Sequence, residues 1–197
     1  MDSMIMDLAR RYFDESIAVK QAFLNDPVQM SNLVEAAKLC VECYKRGNKL
    51  LIAGNGGSAA DAQHFAGELV SRFNYDRPPL SALALTTDTS ILTAIGNDYG
   101  YDEIFVRQLR ANALPGDIFI AISTSGNSLN ILKAIETARE LKVGVIGLSG
   151  FSGGKMHGYC NYCICVPSKL TPRIQECHIA IEHWICEYLE YSLFPKG

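Results

Sequence analysis

Leu50-Leu51-Ile52-Ala53-Gly54-Asn55-Gly56-Gly57-Ser58, continuing through Ala59 to Phe73, is the stretch on which the reading of this chain turns. A short apolar run, Leu50 to Ala53, enters a Gly-rich turn, Gly54 to Gly57, and a segment beginning at Ser58 reads as helix. In an open parallel sheet the ends of such strands are where ligands bind. Ser58 is expected to cap the new helix, whose exposed N–H groups and dipole favour an anion, while Gly56 and Gly57 let a ligand approach the backbone. The loop is not a P-loop, because no Gly-Lys-Ser/Thr follows, and it lacks the three-glycine dinucleotide fingerprint. A βα turn needing positive φ would by itself account for the glycines. Inside the helix, His64 and Glu68 lie four residues apart, so an imidazole and a carboxylate share one face and can share a metal or a proton. An ordinary surface pair has the same spacing; the position just after a strand-end loop favours the functional reading.

The surrounding chain sets the context. Its 197 residues suffice for one sizeable core, and no linker-like break asks for a second domain. A net charge of −3 with scattered Lys and Arg gives no basic stripe for nucleic acid. No run reaches the ~18 apolar residues of a membrane span, and the charged start MDSMIMDLARRYFDE does not read as a signal peptide, so a cytoplasmic location is expected. Seven cysteines, an odd count, suit a reducing compartment. Cys40 and Cys43 form a CxxC, and Cys160, Cys163 and Cys165 a CxxCxC. Their separation does not match a zinc ribbon, and both sets read as small core residues.

Residues 4–24 and 28–46 read as helices, with NDP between them and Gly47 as a stop. Ala82 to Thr86 reads as a second strand, and Thr87-Asp88-Thr89 as the cap of a short helix ending at Ile95. Gly96 to Gly100 reads as a turn, and Asp102 as the start of a helix to Asn112. Ile118 to Ile122 is apolar throughout, as for a strand covered on both faces. Ser123-Thr124-Ser125-Gly126-Asn127-Ser128 then repeats the opening design before a helix from Leu129 to about Leu141. Its hydroxyls, set at a helix N-terminus, can surround a phosphate with neutral donors; helix capping would need only two of them. Val143 to Ser149 and Asn161 to Val166 are the remaining strands, with a loop at Gly150 to Gly154, and a last helix runs from Pro172 to about Leu193. Alternating strands and helices give an α/β, doubly wound parallel sheet. On the last helix, spacing alone pairs His178 with Glu182; Gln175 and His183 are about 80° apart around it.

Taken together, Gly54-Asn55-Gly56-Gly57-Ser58, His64 with Glu68, Gly96-Asn97-Asp98, the serine loop and Arg173-Ile174-Gln175-Glu176 resemble, in order and spacing, the sugar-isomerase (SIS) domain family. The resemblance covers essentially the whole chain and is to members that interconvert sedoheptulose 7-phosphate and D-glycero-D-manno-heptose 7-phosphate on the way to nucleotide-activated heptose. It implies a single SIS domain over 1–197, a five-stranded parallel sheet between helices, with an N-terminal helical hairpin (1–47) used in oligomer packing. It also implies a homotetramer whose active sites draw on neighbouring subunits, and one zinc per site held by His64, Glu68, Gln175 and His183. By the same resemblance Glu68 is the carbon base and His183 moves protons on oxygen. Ser58, Ser123, Thr124, Ser125, Ser128 and Gln175 contact the phosphosugar, and Asn55, Gly56, Gly57, Asn97 and Asp98 line the sugar hydroxyls. Such chemistry passes through an enediolate and needs a base, an acid and charge stabilisation. A zinc-bound carboxylate loses basicity, so either the metal shifts during the cycle or its role is partly structural. Pro172 stands where some members carry an acidic residue, so no role carries over there. The competing expectation is a non-catalytic tetrameric relative that binds the bacterial replication initiator; it lacks the Glu and second His that stand here at 68 and 183.

Overall fold

The computed structural model describes residues 2–196; Met1 and Gly197, the ends of the expected domain, lie outside the described residues. Helices α1 (Asp2–Leu24) and α2 (Pro27–Lys45) form the expected hairpin. Asp26 caps α2 by accepting from the N–H groups of Val28 and Gln29, and Pro27 occupies the first turn, where no N–H is needed. Then follow β1 (Leu50–Ala53), α3 (Gly57–Val70), β2 (Ala82–Ala84), α4 (Thr89–Tyr99), α5 (Ile104–Asn112), β3 (Ile118–Ser123), α6 (Leu129–Glu140), β4 (Gly144–Ser149), β5 (Tyr162–Cys165) and α7 (Thr171–Leu193).

The five strands form one sheet, all parallel, in the order β2-β1-β3-β4-β5. Alternation along each strand sorts the side chains onto two faces. Leu50, Ile52, Ile118, Ile120, Ile122, Ile146, Leu148 and Ile164 join the core under α2, α3 and α7. Leu51, Ala53, Phe119, Ala121, Val145, Cys163 and Cys165 join the core under α5 and α6. Because α3 lies on one face and α6 on the other, the connections leaving β1 and β3 diverge. The crevice between their C-terminal ends is therefore the topological switch point of the sheet. At the opposite ends of these strands, buried Asp117 accepts from Lys49 Nζ (2.6 Å), the Lys49 N–H (3.0 Å), Asn48 Nδ2 (3.0 Å) and the Leu114 N–H (2.8 Å), which fixes β1 beside β3.

Several expectations need correction. Ser58 is not the cap of α3: Gly56, at φ +57°, holds that position, and Ser58 is buried within the first turn. Gly96, Asn97 and Asp98 are not a turn but the end of α4, which continues to Tyr99 until Gly100 turns the chain at φ +98°. The helix expected from Asp102 begins instead as a short 3-10 turn, Tyr101–Glu103, and another, Gly154–Tyr159, follows the loop after β4. Strand β2 is shorter than expected. Cys40, Cys43, Cys163 and Cys165 are core residues, as read.

Candidate active site

Two features mark the α3 side of the sheet, one at the switch point and one farther along α3 and α7. The first is a cleft of about 280 Å³ lined by Asn55, Gly56, Gly57, Ser58, Ser123, Thr124, Ser128 and Gln175 among others. The glycine loop and the serine loop form its two sides. Its floor is close-fitting: a Cβ on Gly57 would collide with the amide of Gln175, so α7 lays that amide directly over the N-terminus of α3. In the serine loop, Ser123 Oγ and Ser128 Oγ lie 2.9 Å apart. Ser128 occupies the N-cap position of α6 without making a side-chain cap bond, so its hydroxyl faces Ser123 and the cleft instead of the helix end. Ser125 accepts from the Asn127 N–H at 3.1 Å and lines a second depression beside Thr124. Hydroxyls and first-turn N–H groups of two helices thus meet in one place, an arrangement suited to an anion.

Asn55 and Asn130 tie the two sides together. Asn55 Nδ2 donates to Asn130 Oδ1 (2.9 Å), Asn130 Nδ2 returns a bond to Asn55 Oδ1 (2.8 Å), and the Tyr101 hydroxyl donates to the same Asn55 oxygen (2.9 Å). Asn130 and Tyr101 escape sequence reasoning because neither belongs to a periodic or loop pattern; only the tertiary fold brings them together. Asn97 and Asp98 are not brought to the cleft. They sit exposed on the last turn of α4, where Asn97 Nδ2 donates to Asp98 Oδ1 at 2.8 Å.

The second feature is a cluster of His64, Glu68 and His183. The two imidazole Nε2 atoms are 2.7 Å apart, and Glu68 Oε1 is 3.6 Å from that of His64. One ligand atom from each residue lies within 4.8 Å of the others. His64 and Glu68 come from adjacent turns of α3; His183 reaches them because α7 packs along α3. The Phe73 ring flanks His183, with centroids 5.4 Å apart. Two nitrogens that close cannot both carry a proton, so they require a shared proton or a cation between them. Two imidazoles and a carboxylate, all partly open to solvent, are a donor set that fits zinc with a position left free. Gln175 lies on α7 two turns before His183, about 12 Å along the axis, beside Gly57.

The pair chosen by helical spacing goes elsewhere. His178 and Glu182 share a face of α7, but that face is buried, and both residues are fully enclosed. His178 Nε2 lies 3.2 Å from the Ser149 carbonyl oxygen, and burial pushes its pKa down to about 4. Burial, with a further contribution from Asp61, holds Glu182 well above the ordinary carboxylate range, and neither Glu182 oxygen has a hydrogen-bond partner among the described residues.

Comparisons with known proteins identify the family. The family model described as "SIS domain" matches residues 11–150. The phosphoheptose isomerase of Aneurinibacillus thermoaerophilus is 58% identical over 188 residues, 95% of each chain. Phosphoheptose isomerase 2 of Campylobacter jejuni is 58% identical over 94% of this chain and 92% of its own. Among solved structures, the phosphoheptose isomerase from Neisseria gonorrhoeae superposes with a TM-score of 0.88 at 43% identity, covering 94% of this chain and 98% of that one.

Proposed function

The chain belongs to the SIS domain family and, within it, to the phosphoheptose isomerases, and on that premise we propose how its own residues carry out the reaction. It is an aldose–ketose isomerase acting on sedoheptulose 7-phosphate. The observation that carries the proposal is the meeting of His64, Glu68 and His183 two to three helical turns from a hydroxyl-lined cleft.

The phosphate enters the cleft, held by Ser123, Thr124, Ser128, Ser125 and the N-terminal N–H groups of α3 and α6, with Ser58 and the Gln175 amide at its edge. The sugar chain then runs along α3 towards the cluster. His64 and the phosphate end of α3 are about 9 Å apart along that helix, so the substrate must lie extended to reach both. Glu68 removes the proton from C1 of the open-chain ketose and returns it to C2. His183 gives a proton to O2 and takes one from O1, so the protein ends as it began. Negative charge on the intermediate enediolate requires a compensating positive group. Zinc held by His64, Glu68 and His183 would act there as a Lewis acid; Gln175, the fourth ligand that family resemblance suggests, lies about 12 Å along α7 from His183 and would reach such an ion only from a neighbouring subunit. Coordination to such an ion would lower the basicity of Glu68, so the base is strongest with its carboxylate free of it. Asn55, Gly56, Gly57, Asn97 and Asp98 remain our candidates for the sugar hydroxyls, the last two from a neighbouring subunit.

Residues 1–47 pack subunits together in a homotetramer of single SIS units. The exposed apolar side chains of α1, among them Met4, Ile5, Leu8, Phe13 and Ile17, support this. Cysteines that are all free suit the cytoplasm, and no helix among the described residues is long and apolar enough to cross a membrane. The non-catalytic reading is not favoured, because Glu68 and His183, the residues a mere binding protein does not need, face each other. The deciding experiment follows the aldoheptose phosphate by NMR from sedoheptulose 7-phosphate, for the wild type with zinc or chelator and for Glu68→Gln. The expected result is product from the wild type, less after chelation, and at least 1,000-fold slower turnover in a variant of unchanged assembly. Turnover retained by Glu68→Gln would reject the assignment of the base.

A further inference from the structure

The loop between α3 and β2 holds a buried ion pair that the mechanism above does not use. Arg77 and Glu190 each have only 1% of their side-chain surface exposed, and Arg77 Nε donates to Glu190 Oε1 at 3.1 Å. The rest of the guanidinium faces the end of α3: Nη2 donates to the Glu68 carbonyl oxygen (2.9 Å), and Nη1 to those of Leu69 (2.7 Å) and Pro78 (3.1 Å). The carboxylate of Glu190, on α7, has two further partners. Its Oε1 accepts from the Phe73 N–H and its Oε2 from the Asn74 N–H, both at 2.8 Å.

A helix C-terminus leaves carbonyls without partners, and a cation there is favourable. That alone would make Arg77 a capping group. What exceeds capping is where the arms end. One holds the backbone of Glu68 itself. Another, through Glu190, holds the backbone of Phe73, whose ring packs on His183. The third link is α7, which carries Glu190 about two turns after His183. The pair therefore joins the elements whose relative placement sets the 2.7 Å separation between His64 on α3 and His183 on α7. Buried ion pairs are poor net stabilisers compared with apolar residues of the same volume, so stability is a weak reason for one here. Lysine cannot replace Arg77 in this role, since a single ammonium cannot follow four acceptors in one fixed plane.

We propose that Arg77, Glu190 and Phe73 are positioning residues for the isomerase: the buried clamp fixes α3 against α7 so that Glu68 and His183 address the same substrate atoms. This rests on the functional reading above. Binding of the phosphate, made at the other end of α3 and α7, should be nearly independent of the clamp.

The test compares wild type, Arg77→Lys, Glu190→Gln and Phe73→Leu as full-length, folded protein, measuring kcat and KM for sedoheptulose 7-phosphate and the imidazole nitrogen resonances of His64 and His183 by NMR. The expected result is a kcat roughly 10–100-fold lower, a KM within about threefold of wild type, and displaced histidine resonances. A clamp that served stability alone would lower the melting temperature and leave kcat and the resonances of the folded protein unchanged; that result overturns the proposal. Should Arg77→Lys or Glu190→Gln fail to fold, Phe73→Leu, which keeps the backbone bond to Glu190, decides by the same criteria. A wild type without turnover would instead strike at the functional reading and is seen before any variant is made.

Discussion

Asp61 and His178 are buried titratable residues whose burdens oppose each other. Burial pushes the Asp61 carboxyl up to about 6, with His64 pulling slightly the other way, and one of its oxygens has no partner among the described residues. A carboxyl raised from 3.8 favours the folded state at low pH and loses that contribution as pH rises through 6. His178, depressed from 6.5 to about 4, contributes above 6.5 and loses its contribution as pH falls through 4. Glu182, also raised, adds to the Asp61 trend, so the Asp61 share is read as a difference between variant and wild type. Asp61→Asn should melt higher than wild type at pH 7, and that advantage should shrink as the pH falls through 6 towards 3.8. An advantage that stays constant across this range in thermal scans would count against the Asp61 assignment. At this scale the sequence is legible where a pattern is local, as with His64 and Glu68. It misleads on α7, because helical spacing pairs His178 with Glu182 and is blind to the face on which they are buried. His183 finds His64 across two helices, a relation that no spacing within one helix contains.

The β1-loop-α3 and β3-loop-α6 units are legible because apolar strands, glycine turns and hydroxyl-rich helix starts coincide. Their ends are less so. α4 runs through Gly96, where glycine suggests a stop, because tertiary context overrides a modest propensity. Nothing lies within 4 Å of where a Cβ on Gly96 would stand, and its φ is not positive. Gly96→Ala should thus stabilise the protein by about 0.5–1 kcal/mol, read as a higher denaturation midpoint; a lower midpoint would mean that this turn of α4 meets a neighbour in the assembly. Ser58 gives up the cap position to Gly56 for a related reason. Gly56 can adopt a backbone conformation that frees the next residue to start the helix, so the hydroxyl falls inside the first turn and points to the cleft.

Across the molecule, sheet order and helix placement follow from the alternation of elements, and the crossing of loops at the switch point follows from the order. The sequence is less informative about what lies outside one chain. α1 displays Met4, Ile5, Met6, Leu8, Phe13 and Ile17 at 55–69% exposure, a face far more apolar than a solvated helix carries. If it is the subunit contact of the homotetramer we infer, Leu8→Glu with Phe13→Glu should give smaller species than wild type in light scattering. An unchanged mass would place the contact elsewhere.

If α1 forms that contact, it also ties the chemistry to dilution. An interface held largely by one apolar helix obeys mass action, so the share of chains in the assembled form depends on how much protein is present. Activity per chain would then climb with enzyme concentration and level off once the helices are covered, and a dilute stock would report its own dissociation constant in the guise of a slow catalyst.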